Sequence, residues 1–232
     1  MDKNEKNYKK LLASPKAVKA TPSNSTTSTQ TTDFCQLVIV GDSLVGKTSF
    51  LLQYAEKKFY ENTIMTTGLD YCIRTEIIDN TPVQIKIWDT AGQERYHAQT
   101  KSFLKNADAV MLIYDVTNTE TYLNLKNWIN SINTNPSQSN IKKIIIGNKI
   151  DLEDKREVKK QEAENFAKAH NISYFESSAK ANINVLEPVL FLAKNVINSE
   201  EYKERKIKRE NVIKLGEMGT VKAPKQSGGG CC

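Results

Sequence analysis

An open α/β sheet is the fold the sequence predicts: six strands, mostly parallel, with one antiparallel hairpin at the edge and helices on both faces. Five apolar runs and a short sixth recur between residues 34 and 176. Helix-period stripes separate the later runs, so strand and helix alternate. The segments richest in chemistry each begin where a run ends, and open α/β sheets bind ligands at the carboxyl ends of their strands.

FCQLVIV (34–40) is continuously apolar and stops at Gly41, as a strand buried on both faces does. SFLLQYA, beginning at Ser49, follows as a helix. YCIRTEII (71–78) and VQIKIW (83–88) alternate with period two around Asp79-Asn80-Thr81-Pro82, which predicts an antiparallel hairpin at the sheet edge. AVMLIYD (109–115), IKKIIIG (141–147) and ISYFE (172–176) complete the set, and the runs other than the hairpin read as central. Tyr122, Leu125, Ile129 and Ile132 form one helical stripe after a start signal at Thr119. Ala163, Phe166, Ala167 and His170 form a second. Val185, Val189, Leu192 and Val196, beside Leu186, Ala193 and Ile197, form a third that lies against the sheet.

The chain has 232 residues, 39% hydrophobic and 26% charged, enough apolar content for a packed core. It has no run of about 18 apolar residues, so no membrane-spanning helix is predicted. The first thirty residues lack the apolar block of a secretory signal, which predicts a cytosolic protein. Cys35 and Cys72 lie in strand-like runs and read as small buried hydrophobes, and the cysteine spacing fits no zinc site.

The net charge of +6 is unevenly placed. Residues 1–33 and 199–232 each carry a surplus of three positive charges, while 34–198 holds 19 basic and 19 acidic residues. A nucleic-acid-binding body would carry a basic face, so no nucleic acid is predicted as partner. Basic ends around a neutral body suit an anionic membrane leaflet. Nine of the twelve residues from Thr21 to Thr32 are Ser or Thr, and 1–33 reads as a disordered extension. Within it, Tyr8, Leu11 and Leu12 form at most one amphipathic turn before Pro15. Residues 34–198 form the body, and 199–232 a charged, then flexible, tail ending in Cys231-Cys232.

Gly41-Asp42-Ser43-Leu44-Val45-Gly46-Lys47-Thr48, with Ser49 after it, joins the first strand to a helix. This is the phosphate-loop pattern. Its glycines let successive amides turn onto phosphate oxygens at a positive helix end. Lys47 supplies countercharge to the β and γ phosphates and the Thr48 hydroxyl ligates Mg²⁺. Trp88-Asp89-Thr90-Ala91-Gly92-Gln93-Glu94 ends the third run, with Asp89 placed to hold Mg²⁺ through water and Gly92 to offer an N–H to a γ-phosphate. Asn148-Lys149-Ile150-Asp151 and Ser177-Ser178-Ala179-Lys180 end the fifth and sixth. Asp151 accepts from the N1–H and 2-amino groups of guanine, a pattern adenine lacks. Asn148 ties loops together, the Lys149 stem covers the base, and the Ala179 N–H reaches the guanine O6.

With these four motifs in order, residues 34–198 resemble a small GTPase of the Ras superfamily, a P-loop NTPase fold built as a small G domain. GLDYCIRTEI (68–77), KIWDTAGQERY (86–96), YDVTN (114–118), GNKID (147–151) and ESSAK (176–180) are most similar to the Rab branch. The resemblance implies GTP or GDP as bound nucleotide and Mg²⁺ as cofactor, with Ser178 and Lys180 in the base loop. It implies a first switch at about 57–70, with Phe59 against the guanine and Thr66 on Mg²⁺; Thr67 beside it is the alternative ligand. A second switch at about 89–105 contains Gln93, which orients the attacking water. Tyr71, Trp88 and Tyr96 match an aromatic triad presented to effectors, although core packing explains such aromatics equally well. Cys231 and Cys232 match a double geranylgeranylation site. The implied partners are an exchange factor, a GTPase-activating protein, a GDP-dissociation inhibitor or escort protein, and effectors, at the cytoplasmic face of an intracellular membrane.

Slow hydrolysis follows, because no arginine occupies a motif that would place one on the transition state. The implied role is a switch in vesicle traffic. Leu44 stands where relatives usually carry a small residue, Thr67 replaces a partner-facing Ile, and Ser102-Phe103-Leu104-Lys105-Asn106 departs from the second-switch pattern. Leu44 and Thr67 motivate the alternative of a GTP-loaded binding module with impaired hydrolysis. A small-molecule kinase would need an acceptor site and an arginine-bearing lid, and the loops at 148–151 and 177–180 argue against it.

Overall fold

A computed structural model of the chain describes residues 33–61, 70–90, 104–134 and 141–207. The chain divides into two compact units, Met1–Ile197 and Asn198–Cys232. In the first, six strands form one sheet: β1 (Asp33–Val40), β2 (Asp70–Ile78), β3 (Thr81–Asp89), β4 (Ala109–Asp115), β5 (Lys142–Asn148) and β6 (Ser173–Glu176). Their spatial order is β2-β3-β1-β4-β5-β6. Only β2 and β3 pair antiparallel; every other neighbouring pair is parallel. The predicted hairpin edge is therefore present. At the opposite margin β6, expected to be central, is the other edge, and its four residues are exposed or half-buried.

Two predicted boundaries shift for local reasons. The hairpin turn is only Asp79-Asn80, both with positive φ (49° and 62°), as a two-residue turn between twisted strands requires. Thr81 and Pro82 instead belong to β3. Pro82 precedes the β1 register, which begins at Asp33 opposite Val83, so its missing N–H costs no bond to that strand. The stripe 122–132 was expected to be one helix from Thr119. It is two, α2 (Thr119–Leu123) and α3 (Leu125–Asn133), separated by Asn124. Its cap is Asn118, whose side-chain oxygen accepts from the N–H groups of Glu120 and Thr121.

The remaining helices are α1 (Lys47–Glu56), α4 (Lys160–Ala169) and α5 (Leu186–Ile197). Val38, Val40, Val110, Leu112 and Tyr114 form one buried cluster with Tyr122, Leu125, Trp128, Ile129 and Ile132 from α2 and α3 and Ala163 and Ala167 from α4. Leu37, Ile39, Ile85, Ile87, Met111 and Ile113 alternate with them on the other face and are equally buried, with α1 and α5 against the strands. Cys35 is fully buried as expected. Cys72, on the edge strand, is only half-buried. In the second unit, residues 200–207 are helical, where a charged and flexible tail was expected, and Lys203 pairs with Glu200 at 2.8 Å. Among the described residues no helix is long and apolar enough to cross a membrane.

One polar network braces the sheet near the ends of β4, β5 and β6. The Tyr114 and Tyr174 hydroxyls lie 2.9 Å apart, and Tyr174 donates to Glu176 Oε1 at 2.9 Å. Arg156 meets both carboxylate oxygens of Glu176, at 2.9 and 3.3 Å. Gly147 runs between the two phenols, where a Cβ would come within 2.8 Å of each hydroxyl. Burial pushes both phenols well above their ordinary pKa, so the folded state keeps protons that the unfolded chain releases near pH 10. Stability should thus be unaffected by these groups below pH 10 and fall as pH rises beyond it. Urea denaturation from pH 9 to 11 should show that fall, and Tyr114→Phe and Tyr174→Phe should each flatten it.

Candidate functional site

β1 ends at the loop 41–48, whose last glycine sits just before α1 with φ of 94°. A Cβ on Gly46 would also come within 2.5 Å of the Asn148 amide nitrogen, so both backbone and space demand glycine there. Lys47 Nζ donates to the carbonyls of Gly41 at 2.9 Å and Asp42 at 2.6 Å. Burial draws the Lys47 amine down to about 8, while Asp89 and Asp42 pull it back up. The amine therefore lies inside the loop instead of reaching into solvent. Thr48 Oγ1 donates to Asp89 Oδ2 at 2.6 Å, joining the start of α1 to the end of β3. Asp89 is fully buried, and Thr90 beside it donates to the Ile39 carbonyl at 2.7 Å. Two hydrogen bonds thus join the end of β3 and the residue after it to the start of α1 and to β1.

The loops after β5 and β6 join them through one side chain. Asn148, 1% exposed, donates from Nδ2 to the Val45 carbonyl at 2.9 Å. Its Oδ1 accepts from the Ala179 N–H at 3.2 Å and the Ser177 hydroxyl at 3.4 Å. The Ala179 N–H, expected to face a base, is directed at Asn148. Asp151 is exposed and accepts from the Ser178 hydroxyl at 2.5 Å, and Ser178 Oγ accepts from the Ala181 N–H. Lys149 adopts the left-handed backbone (φ 70°) and pairs with Asp115 Oδ2 at 2.6 Å. The Lys180 ammonium lies 6.0 Å from the centre of the Phe59 ring. In the sequence Asp115 stands at the end of AVMLIYD and within YDVTN, with no role apparent there. A carboxylate ending β4, the strand paired directly with β1, was the available signal.

Four chain segments that are distant in sequence therefore converge at the carboxyl ends of β1, β3, β5 and β6. Ser43, Leu44, Val45, Gly46, Lys47, Thr48, Ser49, Asp89, Asn148, Lys149, Asp151, Ser178, Ala179 and Lys180 lie in or beside them. Thr66, Gly92, Gln93, Tyr96, Cys231 and Cys232 fall outside the described residues, as do Thr67, most of the predicted first switch and residues 91–103 of the second. Residues 36–198 match the model of the Ras family.

The chain belongs to the Ras family.

Among curated relatives it is 40% identical over 177 residues to Ras-related protein Rab-10 of Diplobatis ommata, covering 76% of this chain and 87% of that one. To Ras-related protein Rab-8A of Mus musculus it is 42% identical over 161 residues, 69% of this chain and 77% of the relative. To Ras-related protein Rab-13 of Rattus norvegicus it is 39% identical over 162 residues, 70% and 79%. As a Rab-like member of the Ras family, the chain is a small GTPase.

Two features of this family member stand apart. On the open face of the hairpin, Tyr71 and Trp88 lie opposite in register with ring centres 4.8 Å apart. The Lys86 ammonium sits 4.0 and 3.8 Å from those centres, a cation over two π faces. Trp88 also donates to Gln36 Oε1 at 3.3 Å and packs against the buried cluster, so it serves the core and the surface together. Leu44 has φ of 65° and is 73% exposed. A branched side chain in the left-handed region costs about 1–2 kcal/mol, and exposure recovers little of it through packing. Glycine removes that strain but gives back part of the gain to the freer unfolded chain. Leu44→Gly should therefore stabilise the protein by about 0.5–1 kcal/mol, measured as a higher urea midpoint at unchanged m-value.

Proposed function

We propose that this GTPase is a membrane-anchored Rab-type switch that recruits effectors in its GTP state and so regulates vesicle traffic. The observation that carries the reading is the Asn148 junction, which links the phosphate loop to the two loops that read a base. In this assignment Ser43 to Ser49 wrap the phosphates with backbone amides. Lys47 turns its ammonium from the Gly41 and Asp42 carbonyls toward the β and γ oxygens. Asp151 accepts from the guanine edge, with Lys149 held across the base by Asp115 and Phe59 against its rim. Ser178 holds Asp151, and Lys180 closes the pocket beside Phe59.

The Thr48 hydroxyl and Asp89 carboxylate fit Mg²⁺, because they are hard oxygen donors brought within 2.6 Å of each other at the phosphate end. Mg²⁺ when bound neutralises charge on the phosphates. Asp89 would help hold it, and Thr66 would join Thr48 as a ligand in the GTP state. Gln93 orients the attacking water, and Lys47 and the loop amides stabilise charge on the transferring group. Loss of the γ-phosphate releases Thr66 and Gly92, and with them the surface around Tyr71, Trp88 and Tyr96. Exchange factor, activating protein, GDP-dissociation inhibitor or escort protein, and effectors act on that cycle.

Cys231 and Cys232 carry two geranylgeranyl groups, since one lipid chain binds only marginally and two hold firmly. Residues 1–33 and 199–232 serve as an extension and a membrane-reaching tail around the G domain, 34–198. The reading favoured second is a GTP-loaded module that hydrolyses poorly, and the strained Leu44 beside the phosphates is the observation behind it.

Single-turnover hydrolysis separates the two. The switch predicts release of phosphate at about 10⁻⁴ to 10⁻³ per second, falling at least tenfold in Gln93→Leu; no turnover in the parent protein supports the module, and an unchanged rate in Gln93→Leu removes that residue from the mechanism. Replacing Cys231 and Cys232 with Ser should move the protein from the membrane fraction to the soluble one while GTP binding is retained. Membrane association that persists would refute the lipid anchor.

A further inference from the structure

An acid inside a phosphate-binding loop is unfavourable unless its charge is turned aside and solvated by other groups. Asp42 is that acid. Its Oδ1 accepts from the Asn124 side-chain amide at 2.7 Å and from the Trp128 indole N–H at 2.7 Å. Its backbone carbonyl accepts from Lys47 Nζ at 2.6 Å. Both donors come from outside the four strand-end loops. Asn124 is the single residue between α2 and α3, and its own Oδ1 accepts from Asn127 at 2.7 Å, which fixes the direction of its amide. Trp128 lies one turn into α3, 5% exposed, with its ring in the cluster beneath β1 and β4. The helix break that the sequence pattern did not predict thus occurs at the residue that reaches the phosphate loop.

We infer that Asn124 and Trp128 are positioning residues that hold the Asp42 carboxylate aside and, through its carbonyl, set the Lys47 ammonium, so that the seat of α3 governs how fast nucleotide leaves. The inference rests on reading 41–48 as the nucleotide's phosphate loop. Hydrogen bonds to a charged acceptor are the stronger kind, and two to one oxygen leave Asp42 little freedom to rotate toward the phosphates. Losing either donor, or the carboxylate itself, loosens that tether on the loop. Because the same loop places Lys47, the consequence is a faster off-rate for the nucleotide.

The test is release of mant-GDP from the Mg²⁺-loaded full-length chain, chased with excess GDP, with thermal unfolding measured in parallel. Asp42→Ala, which frees the loop from its tether, and Trp128→Phe, which keeps the ring but removes the donor, should each speed release about tenfold. Asp42→Asn keeps an acceptor at the same place and should stay within about twofold of the parent. The double variant Asp42→Ala with Trp128→Phe should release no faster than Asp42→Ala alone, because both remove one interaction. If Trp128→Phe fails to fold, Asn124→Ala, at a half-buried helix junction, takes its place in the same cycle. Parent-like rates in the single variants overturn the inference, as do effects that multiply in the double, which would mark Trp128 as packing only. A parent chain that retains no mant-GDP overturns the phosphate-loop reading itself, a result readily told apart from the other two.

Discussion

Asn148 stands at the end of β5 with its amide nitrogen on the phosphate loop and its amide oxygen on the loop after β6, and the rest of the site depends on that bridge. Both ends of the amide are used and the side chain is almost wholly buried, so removing either partner strands a polar group away from water at about 1–3 kcal/mol. Gly46 must be glycine partly because this amide occupies the space a Cβ would need. The bridge holds together strand-end loops separated by a hundred residues.

Around that bridge, charge is arranged in tethered pairs. Lys149 is held by Asp115, Asp42 by Asn124 and Trp128, and Thr48 by Asp89. Each tether fixes a side chain on, or at the end of, a strand-end loop. Most of the supports lie in regular elements: Asp115 ends β4, Trp128 is on α3 and Asp89 ends β3, while Asn124 joins α2 to α3. The scaffold thereby lends its rigidity to loops that have little secondary structure of their own, which is how a site on loops reaches the precision that phosphate chemistry needs.

Much of this was legible in the sequence because the physics there is local. A parallel strand buried on both faces must be mainly apolar, and FCQLVIV (Gln36 aside), AVMLIYD up to its terminal Asp115 and the IIIG run are; a hairpin with one open face must alternate, and 71–88 does. The phosphate loop was legible because it needs glycine at a positive φ beside a lysine at a helix start. What the pattern did not disclose depends on partners remote in sequence. The break at Asn124 makes sense only once Asp42 is seen 82 positions away. The braced pair Tyr114 and Tyr174 reads as two core aromatics until Gly147 brings their hydroxyls together. The turn at Asp79-Asn80 was placed two residues too long because Pro82 signals a turn in sequence, whereas the register of β1 tolerates it within a strand. Leu44 could be recognised as unusual, but its strain is a property of the backbone alone.

These four loops are proposed to form one pocket selective for a guanine nucleotide. Isothermal titration calorimetry of the nucleotide-free protein, run with Mg²⁺ and either GTP or ATP, tests it most directly. Tight binding of GTP is expected, with at least about a thousandfold weaker binding of ATP, since a site built to pair with the guanine edge leaves Asp151 unmatched by adenine. Equal affinities, or no heat from either nucleotide, would contradict it.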